Sequence, residues 1–160
     1  MNNYSKFFLL VISIFIGIIT NGCGTMHIPE EKLEKAQNAG APVYIQVGIS
    51  PLTDSAGGRQ VGFTWRNIGT KTIKYLIIET SLINQVGDDI TCSIGYSGSV
   101  RFTGPVKPNE TRRGDSASKC YDVPPSTLIV DRLTVVYMDD SQEIFNRDEL
   151  QEIGALHPDS

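Results

Sequence analysis

The chain has 160 residues, 40% of them hydrophobic and 20% charged, with a formal net charge of −4. That leaves room for one domain plus signals, with enough apolar residues for a single core. The mildly acidic balance gives no electrostatic ground for nucleic-acid binding, which needs clustered Lys and Arg; Arg112-Arg113 is the sole adjacent basic pair.

The chain opens with MNNYSK, carrying Lys6, and continues into the uncharged run FFLLVISIFIGII from Phe7 to Ile19. As a helix that run spans about 20 Å at 1.5 Å per residue, short of the ~30 Å hydrocarbon core of a bilayer. It fits the apolar region of a secretory signal better than a membrane span. An uncleaved amino-terminal anchor is the other reading. Residues 20–23, TNGC, follow. Gly22 and Cys23 resemble the lipobox of bacterial lipoproteins, whereas Thr20 and Asn21 depart from it. The resemblance implies a signal peptide over residues 1–22. It also implies that Cys23 becomes the first mature residue, joined through sulfur to diacylglycerol, with a further acyl chain such as palmitate on its amine. Ordinary signal cleavage at the same bond is the rival reading. Gly24, in place of Asp, points by the same resemblance to the outer membrane. Removing residues 1–22 takes away one lysine and no acid, so the remainder carries −5.

Residues 23–42 lack β-branched runs. Pro29, Glu30 and Glu31 suit a helix start and Gly40 a stop, with Leu33 and Ala36 as a narrow apolar stripe. The stretch is expected to be a lipid-anchored tether with about two helical turns. From Val43 the pattern changes to period two. In VYIQVGI, Val43, Ile45, Val47 and Ile49 share a face; in QVGFTW, Val61, Phe63 and Trp65 do. RNIGTKT reads as a turn, with Asn67 and Gly69 suited to positive φ. IKYLIIETSLI reads as a central strand, apolar on both faces. ITCSI and SVRFTG are shorter strands, and PVKPNE is a proline-broken connection. TRRGDSASKCYDV is polar and of uncertain class. STLIVDRLTVVYM is a long strand interrupted near Asp131, DDSQ a hairpin turn, and EIF the last strand. The closing stretch, residues 146–160, is polar. Leu150 and Ile153 can pin one helical turn ended by Gly154; otherwise it is a frayed tail.

About seven short strands with turns every 8–12 residues, and no crossover helix, predict an all-β fold with antiparallel pairing. Residues 43–145 are expected to form one immunoglobulin-like antiparallel β-sandwich, with a small open barrel as the alternative. The phrases WRNIGTKTIKYLIIETSLINQVGDDITCSI, FTGPVKPNETRRG and LTVVYMDDSQEI resemble an immunoglobulin-like or fibronectin-like module of bacterial envelope proteins. The resemblance implies a fold and an extracytoplasmic location. It implies neither catalysis nor a named ligand.

Three cysteines are present, Cys23, Cys92 and Cys120. A lipid on Cys23 leaves an even pair in an oxidising compartment. Cys92 and Cys120, 28 positions apart, are expected to form a disulfide. Closing such a loop contributes ~3–4 kcal/mol from chain entropy. A metal pair would need CxxC spacing and nearby histidines, which these cysteines lack. His27 falls in the tether and His157 in the tail, away from any nucleophile. Asp88-Asp89 and Asp139-Asp140 sit at turns, where Asp tolerates the dihedrals; calcium would need a fuller oxygen cage. Gly57-Gly58 lacks the lysine and flanking elements of a phosphate loop. No cofactor is implied. Tyr96, Phe102 and Tyr121, set among Gly, Ser and Asp, are the aromatics expected to be exposed and to form a binding surface.

The expectation is a non-catalytic, lipid-anchored envelope protein, most consistent with the outer membrane. It would touch the membrane through its anchor and present a binding or structural surface to an envelope protein, a glycan or a host molecule. The alternative is an accessory subunit or periplasmic chaperone that lends a strand edge to a client.

Overall fold

The computed structural model describes residues 29–50, 54–92, 97–116, 119–121 and 126–157. The apolar lead, Cys23 and Tyr96 lie outside these residues. No helix among the described residues is long and apolar enough to cross a membrane.

Helix α1 runs Glu30–Asn38 behind Pro29, with Glu30 and Glu31 in its first turn facing the positive end of the helix dipole. Gly40, at φ +87°, supplies the left-handed residue that ends it. Leu33 and Ala36 are buried, and the helix packs on the first strand. The stretch expected to be a free spacer is, from Glu30 onward, part of the folded unit. The narrow apolar stripe suffices because it packs against a sheet and does not have to hold a helix alone.

Among the described residues eight strands follow, one more than the sequence pattern suggests: β1 (Val43–Ile49), β2 (Val61–Asn67), β3 (Ile73–Asn84), β4 (Asp89–Ile90), β5 (Ser99–Val106), β6 (Thr111–Asp115), β7 (Ser126–Tyr137) and β8 (Gln142–Asn146). All ladders between them are antiparallel. One sheet has the order β1-β2-β6. The other has the order β4-β3-β7-β8, with β5 also paired to β3. β7 pairs along the whole of β3, so β4 and β5 share the remaining edge, β5 along Ile73–Glu79 and β4 along Leu82–Ile83. The interruption expected near Asp131 is a shift of register in one continuous strand, between Glu79 and Thr80 of the partner.

The strand that was not apparent is β6. Its sequence, TRRGD, has no apolar alternation because it is an exposed edge. β5 runs through Pro105 to Val106, so the proline does not break it. Only β3 pairs with β5, and an edge strand tolerates a residue without an N–H.

The two sheets share one core. Val43, Ile45, Val61, Phe63 and Trp65 from the smaller sheet meet Leu76, Ile78, Leu82, Val130, Leu133 and Val135 from the larger. Each large side chain taken fully out of water contributes about 1.5–3 kcal/mol. The turn after β2 is not built on positive φ. Asn67 is fully buried, and among the described residues the non-glycine positions with positive φ are Asn109 and Asp140. Asn67 donates through Nδ2 to the carbonyls of Lys71 (2.9 Å) and Val106 (3.0 Å), and its Oδ1 accepts from the Gly69 N–H at 3.1 Å.

Through residue 157 the closing stretch is folded. Helix α2 (Arg147–Glu152) opens with a capping box: Asn146 accepts from the Glu149 N–H at 3.1 Å, and Glu149 accepts from the Asn146 N–H at 2.7 Å. Leu150 and Ala155 are fully buried, and Gly154 turns the chain at φ +65°. The Ile45 N–H then donates to the Ala155 carbonyl, and the His157 N–H donates to the Ile45 carbonyl, both at 2.8 Å. The end of the chain thereby covers part of the outer edge of β1.

Candidate functional site

The disulfide expected from cysteine counting is present: Cys92 and Cys120 are bonded, with Cα atoms 5.2 Å apart. Cys120 is buried, and it exchanges two backbone hydrogen bonds with Arg59, each 2.8 Å. The bond therefore ties the segment after β4, in the larger sheet, to the lead-in of β2, in the smaller one.

Of the three aromatics expected at a surface, Phe102 and Tyr121 fall within the described residues. Phe102 is only partly exposed and packs edge-on to Phe63, ring centroids 5.7 Å apart, and at 5.9 Å from Trp65. It belongs to the core. Its polar neighbours Arg101 and Thr103 sit on the opposite face of β5, as strand alternation requires. Tyr121 is half-buried against Gly58; a Cβ built there would lie 2.7 Å from the ring. Tyr96 lies outside the described residues.

A concavity lies elsewhere, on the outer face of the smaller sheet. Gly48 of β1 stands opposite Gly62 of β2, and Gly62 opposite Asp115 of β6. Two adjacent positions without Cβ atoms expose the backbone and leave a trough of about 650 Å³. Gln46, Gln60, Arg113 and Asp115 border it. A Cβ on Gly48 would meet nothing within 4 Å. The trough reaches the free edge of β6.

Several charged groups elsewhere are engaged locally. Asp54 accepts from the Ala56 and Gly58 N–H groups and from Lys119, whose Nζ is 2.7 Å away. The bond to Lys119 leads in holding the Asp54 carboxyl below its ordinary range and the Lys119 ammonium above its own. At the β7–β8 hairpin, Asp139 accepts from Ser141 and from Lys71, which holds its pKa at about 2. Lys74 pairs with Asp140 at 2.5 Å, which raises the lysine. Tyr137 donates to Glu143 at 2.9 Å; burial, with that carboxylate second, raises its phenol. Asp139 and Asp140 thus serve the turn. Among the described residues no group of three or more His, Cys, Asp or Glu converges as metal ligands would.

The arrangement can bind. Among the described residues, the β6 edge offers unpaired backbone groups beside a shallow trough with one cation and one anion. Sequence reasoning missed the four residues that make it, Gly48, Gly62, Arg113 and Asp115. The legible signal was a glycine in each of two neighbouring strands, between apolar residues of the buried face.

No protein-family model and no curated protein sequence matches the chain. Among solved structures it is similar to the putative ApaA protein from Bordetella pertussis, at 17% identity and a TM-score of 0.38, over 66% of this chain and 85% of that one. It is also similar to the X-ray structure of a structural genomics target, SoR45, at 13% identity and a TM-score of 0.37, over 66% and 80% of the two chains.

Proposed function

We propose that this chain is a lipid-anchored cell-envelope protein whose domain, of the immunoglobulin-like sandwich type, is a non-catalytic binding or structural module. The observation that carries the reading is the Cys92–Cys120 bond. A structural disulfide suits an oxidising compartment, and its formation leaves Cys23 as the one unmatched thiol. The lipobox-like Gly22-Cys23 after an apolar run gives that thiol a use. Two or more acyl chains, at ~0.8 kcal/mol per buried methylene, anchor stably where one is marginal. The sandwich assignment is supported by a three-stranded and a five-stranded antiparallel sheet on one core. A binding or structural role is supported by the trough beside the β6 edge, bordered by one arginine and one aspartate.

The test is metabolic labelling with palmitate in the native host. Label should enter the wild-type chain and be absent from Cys23→Ser. Label that persists in Cys23→Ser would overturn the anchor.

A further inference from the structure

We propose that the outer edge of β6 pairs with β6 of a second copy of this chain, antiparallel and centred on Gly114. Arg113 then faces the partner's Asp115, and Asp115 the partner's Arg113. This deepens, and rests on, the reading of the domain as a binding or structural module by naming its partner.

The backbone fixes which groups are available. The Ser116 N–H donates to the Val61 carbonyl at 2.8 Å, and the Asn67 N–H donates to the Glu110 carbonyl at 3.0 Å. Even-numbered residues of β6 therefore bond to β2. The N–H and C=O groups of Thr111, Arg113 and Asp115 point away from the sheet. No other backbone group among the described residues meets them. An edge of this kind is half of a ladder. Two other edges are less suited: β1 is partly covered by Ala155–His157, and β5 carries Pro105, which has no N–H.

The charges select the partner. Arg113 and Asp115 are exposed, and neither forms an ion pair or side-chain hydrogen bond among the described residues. Their neighbour Arg112 is already matched, 2.7 Å from Glu110. Arg113 and Asp115 lie on the same face of the strand, one on each side of a residue with no side chain. Pairing centred on Gly114 sets opposite charges directly across the seam twice over. Pairing centred on Arg113 would set that arginine against itself. Directly opposed like charges destabilise a ladder and opposite ones stabilise it, so one register is favoured. An acidic client strand would call for cations alone; opposite signs about a central glycine fit a copy of themselves. Two-fold symmetry makes such an interface self-complementary. It joins the two smaller sheets into one, with four backbone hydrogen bonds and two ion pairs at the seam. Gly62, beside Asp115, leaves the trough open for the paired side chains to lie in.

The test is capture between two differently tagged full-length chains, co-expressed and extracted in detergent. Wild type should capture wild type. Arg113→Asp with itself, and Asp115→Arg with itself, should each lose about tenfold in capture, because both ion pairs become like-charge pairs. Arg113→Asp co-expressed with Asp115→Arg should recover it, since the reversed charges match again. The Cys92–Cys120 bond, read on a non-reducing gel, checks that each variant has folded. A wild-type chain that captures no copy of itself overturns the proposal, even if it captures another protein. So does capture that the single variants retain, or that the mixed pair fails to recover. Detergent extraction makes the result independent of Cys23, so loss of the anchor and loss of the seam are read separately.

Discussion

At Asn67, the last residue of β2, every polar atom is bonded: the side chain holds two carbonyls and one N–H, the backbone N–H donates to Glu110, and the carbonyl accepts from Asn109. The next two residues donate to Pro42, behind α1. Five residues earlier on the same strand, Gly62 has no side chain, faces Gly48 across the ladder and opens onto the trough. One end of β2 is closed by a buried polar side chain that organises three segments. The other is left open by missing Cβ atoms, and a disulfide at Cys120 steadies the segment leading into it. The difference teaches where this small sheet spends its specificity. The closed end should fix the fold, and the open end should tolerate change at Gly48, where a Cβ would meet nothing within 4 Å.

The closed end should be the costly one to disturb. Asn67→Ala removes three side-chain hydrogen bonds and leaves the Lys71 carbonyl and the buried Val106 carbonyl without this partner. A loss of about 2–4 kcal/mol is expected in chemical denaturation. A loss below about 0.5 kcal/mol would break the comparison. At the open end, Gly48→Val places a β-branched residue in free space on a strand. Stability should hold or rise by up to about 1 kcal/mol, read in the same assay. A loss greater than that would mean the trough is part of the folding design.

The smallest effect concerns acid. Asp139, at the hairpin beside Lys71, has a folded pKa of about 2 against an ordinary value of 3.8. A depressed carboxylate contributes stability that is present above its unfolded pKa and lost as pH falls through the folded one. The thermal midpoint should therefore gain nothing from this group between pH 7 and about 4, and lose its contribution between about 4 and 2. Asp139→Asn should flatten that part of the profile. Because the group is exposed, the change should be the least of the three, and an unchanged slope in Asp139→Asn would show that the hairpin bonds do not reach the closed end.

The legibility of the fold in the sequence follows burial. β1, β2, β3 and β7 were readable because one face is core and period two survives. β6 was not, since an exposed edge carries no such period. Phe102 was misjudged from its polar neighbours. The alternation Val100, Phe102 against Arg101, Thr103 was the better guide, because in a strand neighbours in sequence face opposite ways. Asn67 looked like a turn former by local preference, but its side chain is drawn inward to the carbonyls of Lys71, four residues on, and Val106, far along the chain. The Asn146 and Glu149 spacing was a legible capping box at the head of α2. The trough and its edge depend on which strands lie side by side, and that is a property of topology that no single stretch encodes.

The central claim is that Cys23 carries lipid while Cys92 and Cys120 bond to each other outside the cytoplasm. Intact mass of the full-length gene product recovered from native membranes tests it most directly. The predicted mass is that of a chain beginning at Cys23, heavier by its acyl groups and lacking the hydrogens of both remaining thiols. A chain that carries no acyl mass, or one whose Cys92 and Cys120 both react with a thiol reagent before reduction, would contradict it.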